Sequence, residues 1–298
     1  MAELNFAAID IGTNAVRLMI KGIDAGKDVE EKLSKRLLLR IPLRLGNDVF
    51  AFGKITENKK EQLLHSILAF KELMTVYRVV RYRACATSAM REASNGISVA
   101  QEIEAICGIH LEIISGYEEA ALLYSSHIGN LFNPEQHHIC VDVGGGSTEI
   151  SRIEKGCLVG TESYNIGTLR LLHDKTDPNE IDRLYSDLEI LRNRYPGMRI
   201  IGSGGNINKL FRLSGTKAGK PLEITSLKKI YSCLKKMSVT ERMEKLQLKP
   251  DRADVIVPAA SLFLEIARHA GVSQIEVPTL GLGDGIVNDL FQKYRDGI

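Results

Sequence analysis

Two short stretches hold the residues best suited to chemistry, AAIDIGTNAVRLMI at residues 7–20 and ICVDVGGGSTEISRI at residues 139–153. Each reads as an apolar strand closing on an aspartate, a turn of small and hydroxyl residues, and a second strand. At Gly144, Gly145 and Gly146 the main chain can come close enough to an anion for its N–H groups to converge on a phosphate, with the Ser147 and Thr148 hydroxyls as further donors. Gly12, Thr13 and Asn14 offer the same role in the first stretch. A third turn, Gly204-Gly205-Asn206, follows a strand and opens a helix, whose N-terminus favours an anion. Taken together, three such turns point to a polyanion. Asp10 and Asp142 each end a strand beside a turn, as carboxylate ligands of Mg²⁺ would, directly or through water. Glu149, seven residues past Asp142 on the return strand, can join that shell. A single aspartate before a turn serves equally as a backbone cap, and it is the duplication that favours metal or water handling.

A proton acceptor comes from ISGYEEA at residues 114–120, which places Glu118 and Glu119 in the first turn of a helix. Adjacent helical residues diverge by about 100°, so only one of the two faces the site. Arg91 in ATSAMREASN follows a strand among small residues and suits a guanidinium reaching a phosphate oxygen; Arg170 after NIGT is a second candidate. The basic stretch Lys32, Lys35, Arg36, Arg40 and Arg44 has no interleaved aromatic residue, which argues against a nucleic-acid platform. GIDAGKD at 22–28 lacks the spacing and the hydroxyl residue of a P-loop, and neither DVGGGST nor GSGGNIN is a dinucleotide fingerprint.

The elements that must position these groups follow from periodicity. Residues 56–77 form an amphipathic helix through Leu63, Ile67, Phe70 and Met74. Strands are expected at 78–84, 110–115, 158–163, 199–201 and 274–277, and helices at 97–107, from 116, at 180–194, through most of 225–270 and at the C-terminus. Thr225 is the expected N-cap of the first helix in 225–270, Pro250 falls near the first turn of the last long one, and Pro258 should bend it. Strand–Asp–turn–strand built twice, 132 residues apart, implies two similar α/β halves facing a cleft. The boundary falls in GNLFNPEQHH at 129–138, where His137 and His138 read as exposed turn residues. The expected domains are 1–128, completed by the C-terminal helix 285–298, and 129–284.

Composition narrows the function. At 298 residues the chain is long enough for two domains. Thirty-nine basic against thirty-seven acidic residues give +2, so no global field draws the chain to a membrane or to nucleic acid. No apolar run is long enough to span a bilayer. The five cysteines form no C-x-x-C pair and four of them sit among apolar residues, which reads as core packing in a reducing cytoplasm.

DIGTNAVRL, ATSAMREASN, ISGYEEA, VDVGGGSTE, IGTLRL, SGG and RADVIVPAA, in this order along nearly the whole chain, resemble the exopolyphosphatase and guanosine pentaphosphate phosphohydrolase family. The resemblance implies two actin-like (ribonuclease H-like) α/β domains with the active site in the interdomain cleft, and Mg²⁺-dependent hydrolysis of a terminal phosphoanhydride. It implies Glu119 as general base, Asp142 and Glu149 as holders of Mg²⁺ or water, and Arg91 with the turns at 12–14 and 144–148 as phosphate contacts. Inorganic polyphosphate is the expected substrate and guanosine pentaphosphate the alternative. An actin-like ATP-binding protein and a phosphate sensor without turnover are the readings from other classes, and a homodimer stays open. Two departures stand out. GLGDG at 281–285 replaces the GLREG frequent in the family, and the helical C-terminal extension of long members is absent. With only the basic stretch from Lys32 to Arg44 left as an extra track, distributive cleavage favouring short chains is expected.

Overall fold

The computed structural model describes residues 4–23, 33–125 and 135–298. Lys32, residues 24–28 of the rejected P-loop and residues 129–134 of the expected boundary lie outside them. The chain divides into two compact units, Met1–Ser126 with Leu282–Ile298, and His127–Gly281.

The first unit is built on strands β1 (Leu4–Ile11), β2 (Val16–Ile23), β3 (Ser34–Ile41), β4 (Val79–Ala86) and β5 (Leu111–Ile113), in the order β3-β2-β1-β4-β5. Its helices are α1 (Leu45–Phe52), α2 (Glu57–Val76), α3 (Ser88–Glu92), α4 (Gly96–Cys107) and α5 (Gly116–Ser125). The first three strands are antiparallel, while β4 and β5 run parallel to β1 and are reached through helices. Of the basic stretch, to which periodicity assigns no element, Lys35, Arg36 and Arg40 lie on the edge strand β3 and Arg44 precedes α1. Lys35 and Arg40 there lie opposite Lys21 and Arg17, and charges on an edge discourage further strand pairing. α2 starts at Thr56, whose hydroxyl accepts from Lys59 N at 3.4 Å and donates to Asp48 at 2.5 Å.

The second unit repeats the plan. Strands β6 (His138–Val143), β7 (Thr148–Glu154), β8 (Cys157–Tyr164), β9 (Arg199–Ser203), β10 (Leu222–Glu223) and β11 (Gln274–Glu276) lie in the order β10-β11-β9-β6-β7-β8. Helices α6 (Thr168–Leu172), α7 (Pro178–Arg194), α8 (Gly204–Leu213), α9 (Ile224–Lys236), α10 (Val239–Leu246), α11 (Pro250–Ala253) and α12 (Ile256–Ala270) pack on it. Apart from the added edge strand β10, the order third-second-first-fourth-fifth is shared by both sheets, so each half is an actin-like domain. Apolar residues of α12, among them Ile256, Phe263 and Ile266, fill the core against Val141 and Ile200 of the sheet.

The last helix, α13 (Leu282–Arg295), belongs to the first unit. Phe6 meets Phe291 and Tyr294 edge-on at 5.7 and 5.4 Å between ring centroids. A buried ion pair, Lys21–Asp284 at 2.6 Å, pins its start, so Asp284 of the departing GLGDG string has a structural partner. Removing one member of such a pair strands a charge, at a cost of about 3–5 kcal/mol.

Several local expectations are corrected. α9 begins one residue before Thr225, with Glu223 at the N-cap position and no side-chain cap, because β10 runs straight into the helix. Pro250 opens the four-residue α11, and Pro258 lies in the first turn of α12, where a missing N–H costs nothing, so it has no intact ladder to bend. His138 is buried at the start of β6 and half-buried His137 packs at a tilt against Tyr195, 4.3 Å between ring centroids, so neither is an exposed turn residue. Cys85, Cys107 and Cys140 are buried, but Cys157 and Cys233 are exposed. Burial pushes the Cys85 and Cys140 thiols up to about 12.

Candidate active site

In the second unit the β6–β7 hairpin sets Asp142 directly opposite Glu149. The turn between them is held from behind. Thr168 N donates to Gly144 O at 3.0 Å, Leu169 N to Gly145 O at 2.9 Å, and Arg170 Nε to Gly146 O at 2.9 Å. With all three carbonyls engaged by the start of α6, the N–H groups of Gly145 and Gly146 donate to no partner among the described residues, an arrangement that suits an anion. A Cβ on Gly167 would collide with the Gly145 carbonyl, so only glycine lets α6 come this close.

The side chains around the two carboxylates are specific. Glu149 is buried, and its Oε1 accepts from Ser147 Oγ at 2.6 Å and from Ser163 Oγ at 3.1 Å. Ser203 Oγ donates to Asp142 Oδ2 at 3.4 Å. The third turn closes on the same aspartate: Gly204 has φ +87°, and a Cβ there would strike the Asp142 carboxylate. Asn206 Nδ2 donates to Val143 O at 2.8 Å, while its Oδ1 accepts from Arg252 Nη1 at 2.5 Å. Arg252 Nη2 would stand 2.8 Å from a Cβ on Gly205, so a guanidinium overlies the first turn of α8.

The second unit therefore brings together Asp142, Glu149, Gly144, Gly145, Gly146, Gly204 and Gly205. Two expected phosphate donors are corrected. Ser147 gives its one O–H to Glu149, and fully buried Thr148 gives its own to Ile166 O at 2.6 Å, so neither hydroxyl is left for a phosphate. Arg252 opens the string RADVIVPAA, and its partner Asn206 lies 46 residues away, a link that spacing cannot show.

In the first unit the corresponding hairpin is braced likewise. Gly12 N donates to Ala15 O at 3.0 Å, Gly46 N to Thr13 O at 3.0 Å and Arg44 N to Asn14 O at 3.1 Å. Asp10, however, forms an ion pair with Arg17, its cross-strand partner, and this cation already offsets its charge. Thr13 is buried. Arg91 Nη1 donates to Ile114 O at 2.6 Å, just ahead of α5, and its other N–H groups have no partner among the described residues. Ser115 Oγ caps α5 by accepting from Glu118 N at 3.1 Å. The Glu118 carboxylate lies 2.5 Å from Arg83, which also pairs with Glu112 at 2.7 Å. Half-buried Glu119 lies about 100° around the helix from this cluster.

Among the described residues no three of His, Cys, Asp and Glu gather as a metal cage. Asp142 and Glu149 supply two hard oxygen donors facing one another, a set that fits Mg²⁺ completed by water and phosphate oxygens. Asp10, held by Arg17, fits less well.

Comparison with known proteins finds similar proteins over most of the chain. The profile of the Ppx/GppA phosphatase family matches residues 29–294. Exopolyphosphatase 2 of Mycobacterium tuberculosis is 30% identical over 321 aligned positions, covering 97% of this chain and 99% of that one. A guanosine-5'-triphosphate,3'-diphosphate pyrophosphatase of Photobacterium profundum is 22% identical, covering 97% of this chain and 60% of that one. The crystal structure of the Aquifex aeolicus Ppx/GppA family member superposes with a TM-score of 0.77 at 28% identity, covering 98% of this chain and 99% of that one.

Proposed function

Since the chain belongs to the Ppx/GppA phosphatase family and is a phosphoanhydride hydrolase, we propose that it removes the terminal phosphate of inorganic polyphosphate, with Mg²⁺ as cofactor. The observation that carries this reading is the β6–β7 turn, whose glycine carbonyls are engaged from behind while two N–H groups stay open beside a carboxylate pair. Gly145 and Gly146 N–H groups, the first turn of α8 and the Arg252 guanidinium hold phosphate oxygens, and Arg91 adds charge to the phosphoryl group in flight. Asp142 and Glu149 hold Mg²⁺, which when bound offsets phosphate charge. Glu119 accepts the proton of the attacking water; Glu118 is unsuited because its carboxylate is committed to Arg83.

Guanosine pentaphosphate is the second reading, favoured by the named activity of the Photobacterium relative, because turns that grip phosphate do not select a nucleoside. Phosphate release from polyphosphate, guanosine pentaphosphate and ATP, with and without Mg²⁺, separates them. Polyphosphate should turn over fastest and chelation should abolish release. Faster ATP turnover would favour an actin-like ATPase, and binding with no release would favour a sensor. Glu119→Gln should lower turnover by about 10²–10⁴ with binding retained, and Glu118→Gln by far less. Equal losses would overturn the choice of base.

A further inference from the structure

One surface of the second unit starts at the site just described and runs beyond it. Over residues 209–236 eight Lys and Arg stand against a single carboxylate, Glu223, although the whole chain carries only +2. The run begins at the candidate site. Lys209 on α8 is held below its ordinary range by burial and then by Arg212 and Arg252, so cations crowd one another beside the Gly204-Gly205 turn. It continues through exposed Lys217 and Lys220 in the loop that follows α8. α9 packs on α8 and buries Leu227 and Leu234, which leaves Lys228, Lys229, Lys235 and Lys236 exposed.

Elsewhere on the surface Lys60 pairs with Glu57 and Glu102, Lys245 with Glu241 and Lys293 with Asp289, and the lysines without an ion pair among the described residues, such as Lys54, Lys155, Lys175 and Lys249, stand singly along the sequence. None of the six lysines from 217 to 236 has an ion-pair partner among the described residues. Unbalanced cations repel one another, a cost that a polyanion lying along them would relieve. Single-stranded nucleic acid fits poorly, since it needs open aromatic platforms and Tyr231 is half-buried with Lys235 over its ring at 5.9 Å.

We propose that α8, the 214–221 loop and the outer face of α9 form a track that binds the body of a long polyphosphate chain whose end occupies the glycine turns. This rests on polyphosphate being the substrate. It also removes the premise behind a short-chain preference, because Lys32–Arg44 is not the only basic stretch available.

The test measures affinity for polyphosphate of about a hundred units and for tripolyphosphate, over a range of salt, in full-length chains carrying Glu119→Gln so that bound polymer persists. Replacing Lys228, Lys229, Lys235 and Lys236 with Ala should lower the ratio of long-chain to short-chain affinity at least about tenfold and reduce the salt slope by about three. Replacing the same four with Arg should keep the ratio within about twofold, since the contacts are Coulombic. An unchanged ratio in the Ala variant overturns the track. Equal competition by a single-stranded oligonucleotide of matched charge overturns polyphosphate as its occupant. Phosphate release by the unaltered chain is scored separately. No release from polyphosphate with a fallen ratio sinks the proposed activity and leaves the track, whereas release with an unchanged ratio does the reverse.

Discussion

The two hairpins share a backbone and differ in charge. Asp10 and Asp142 take the same position at the end of a first strand, and each faces the residue seven places on, but that residue is Arg17 in the first hairpin and Glu149 in the second. The first pairing is neutral, and the second places two carboxylates together, an arrangement that favours a divalent cation. A duplicated scaffold can thus keep its turn twice while only one copy sets two carboxylates opposite one another. The aspartate alone does not decide this; its cross-strand partner does.

The sharpest way to break the comparison is to remove one partner from each hairpin. Glu149→Gln keeps shape and should lower turnover at least about 10²-fold while raising the Mg²⁺ concentration needed for half-maximal rate. Arg17→Gln frees Asp10 without touching the carboxylate pair and should cost less than about tenfold. Steady-state rates across a Mg²⁺ titration check both. Equal losses with equal shifts in Mg²⁺ dependence would mean that both hairpins handle metal.

How far the sequence reaches is clear from the same residues. The repeat was legible because strand, aspartate and turn are local patterns, and Glu149 stood out at seven residues past Asp142. Arg17 stands at the same offset from Asp10, so the contrast was available to anyone who laid the repeats in register. The allegiance of hydroxyls was not legible: Thr148 looks like a phosphate donor until β8 and the chain beyond it bring Ile166 O within 2.6 Å. The tie between Arg252 and Asn206 depends on tertiary packing, as does the commitment of Glu118 to Arg83 on β4. Basic runs mislead in both directions, since Lys35, Arg36 and Arg40 belong to the edge strand β3, while the six lysines from 217 to 236, which no motif marks, have no ion-pair partner among the described residues.

A smaller effect separates the turns by how tightly each is backed. Gly167→Ala drives a methyl into the Gly145 carbonyl, and either the turn or α6 must shift, at about 1–3 kcal/mol. Gly12→Ala places its Cβ 3.2 Å from Ala15 O, which a shift of a few tenths of an ångström relieves, at less than about 1 kcal/mol. Urea unfolding of the two variants tests the ranking, and a more damaging Gly12→Ala would reverse it.

The smallest effect concerns the strands that lead into the turns, where the repeat puts Phe6 in β1 and His138 in β6. Both are buried, but only the histidine can take up a proton. Burial holds its pKa below the ordinary value, with Arg199 and His137 acting in the same sense and the Gln136 carbonyl and Glu276 opposing. The unfolded chain therefore binds this proton more readily than the folded one. Stability is fully present above about pH 6.5 and is lost as the pH falls from there toward the depressed folded value, with a slope of at most about 1.4 kcal/mol per pH unit. His138→Phe copies the first hairpin and should remove this contribution, at some loss from the bond to Gln136 O at 3.0 Å. The measurement is the urea midpoint at pH 7 and pH 5, followed by circular dichroism. The drop between the two pH values should be smaller in His138→Phe than in the unaltered chain, because the remaining titrating groups are common to both. Identical drops would show that His138 titrates alike in both states, and that the buried histidine costs the second hairpin nothing its aromatic counterpart avoids.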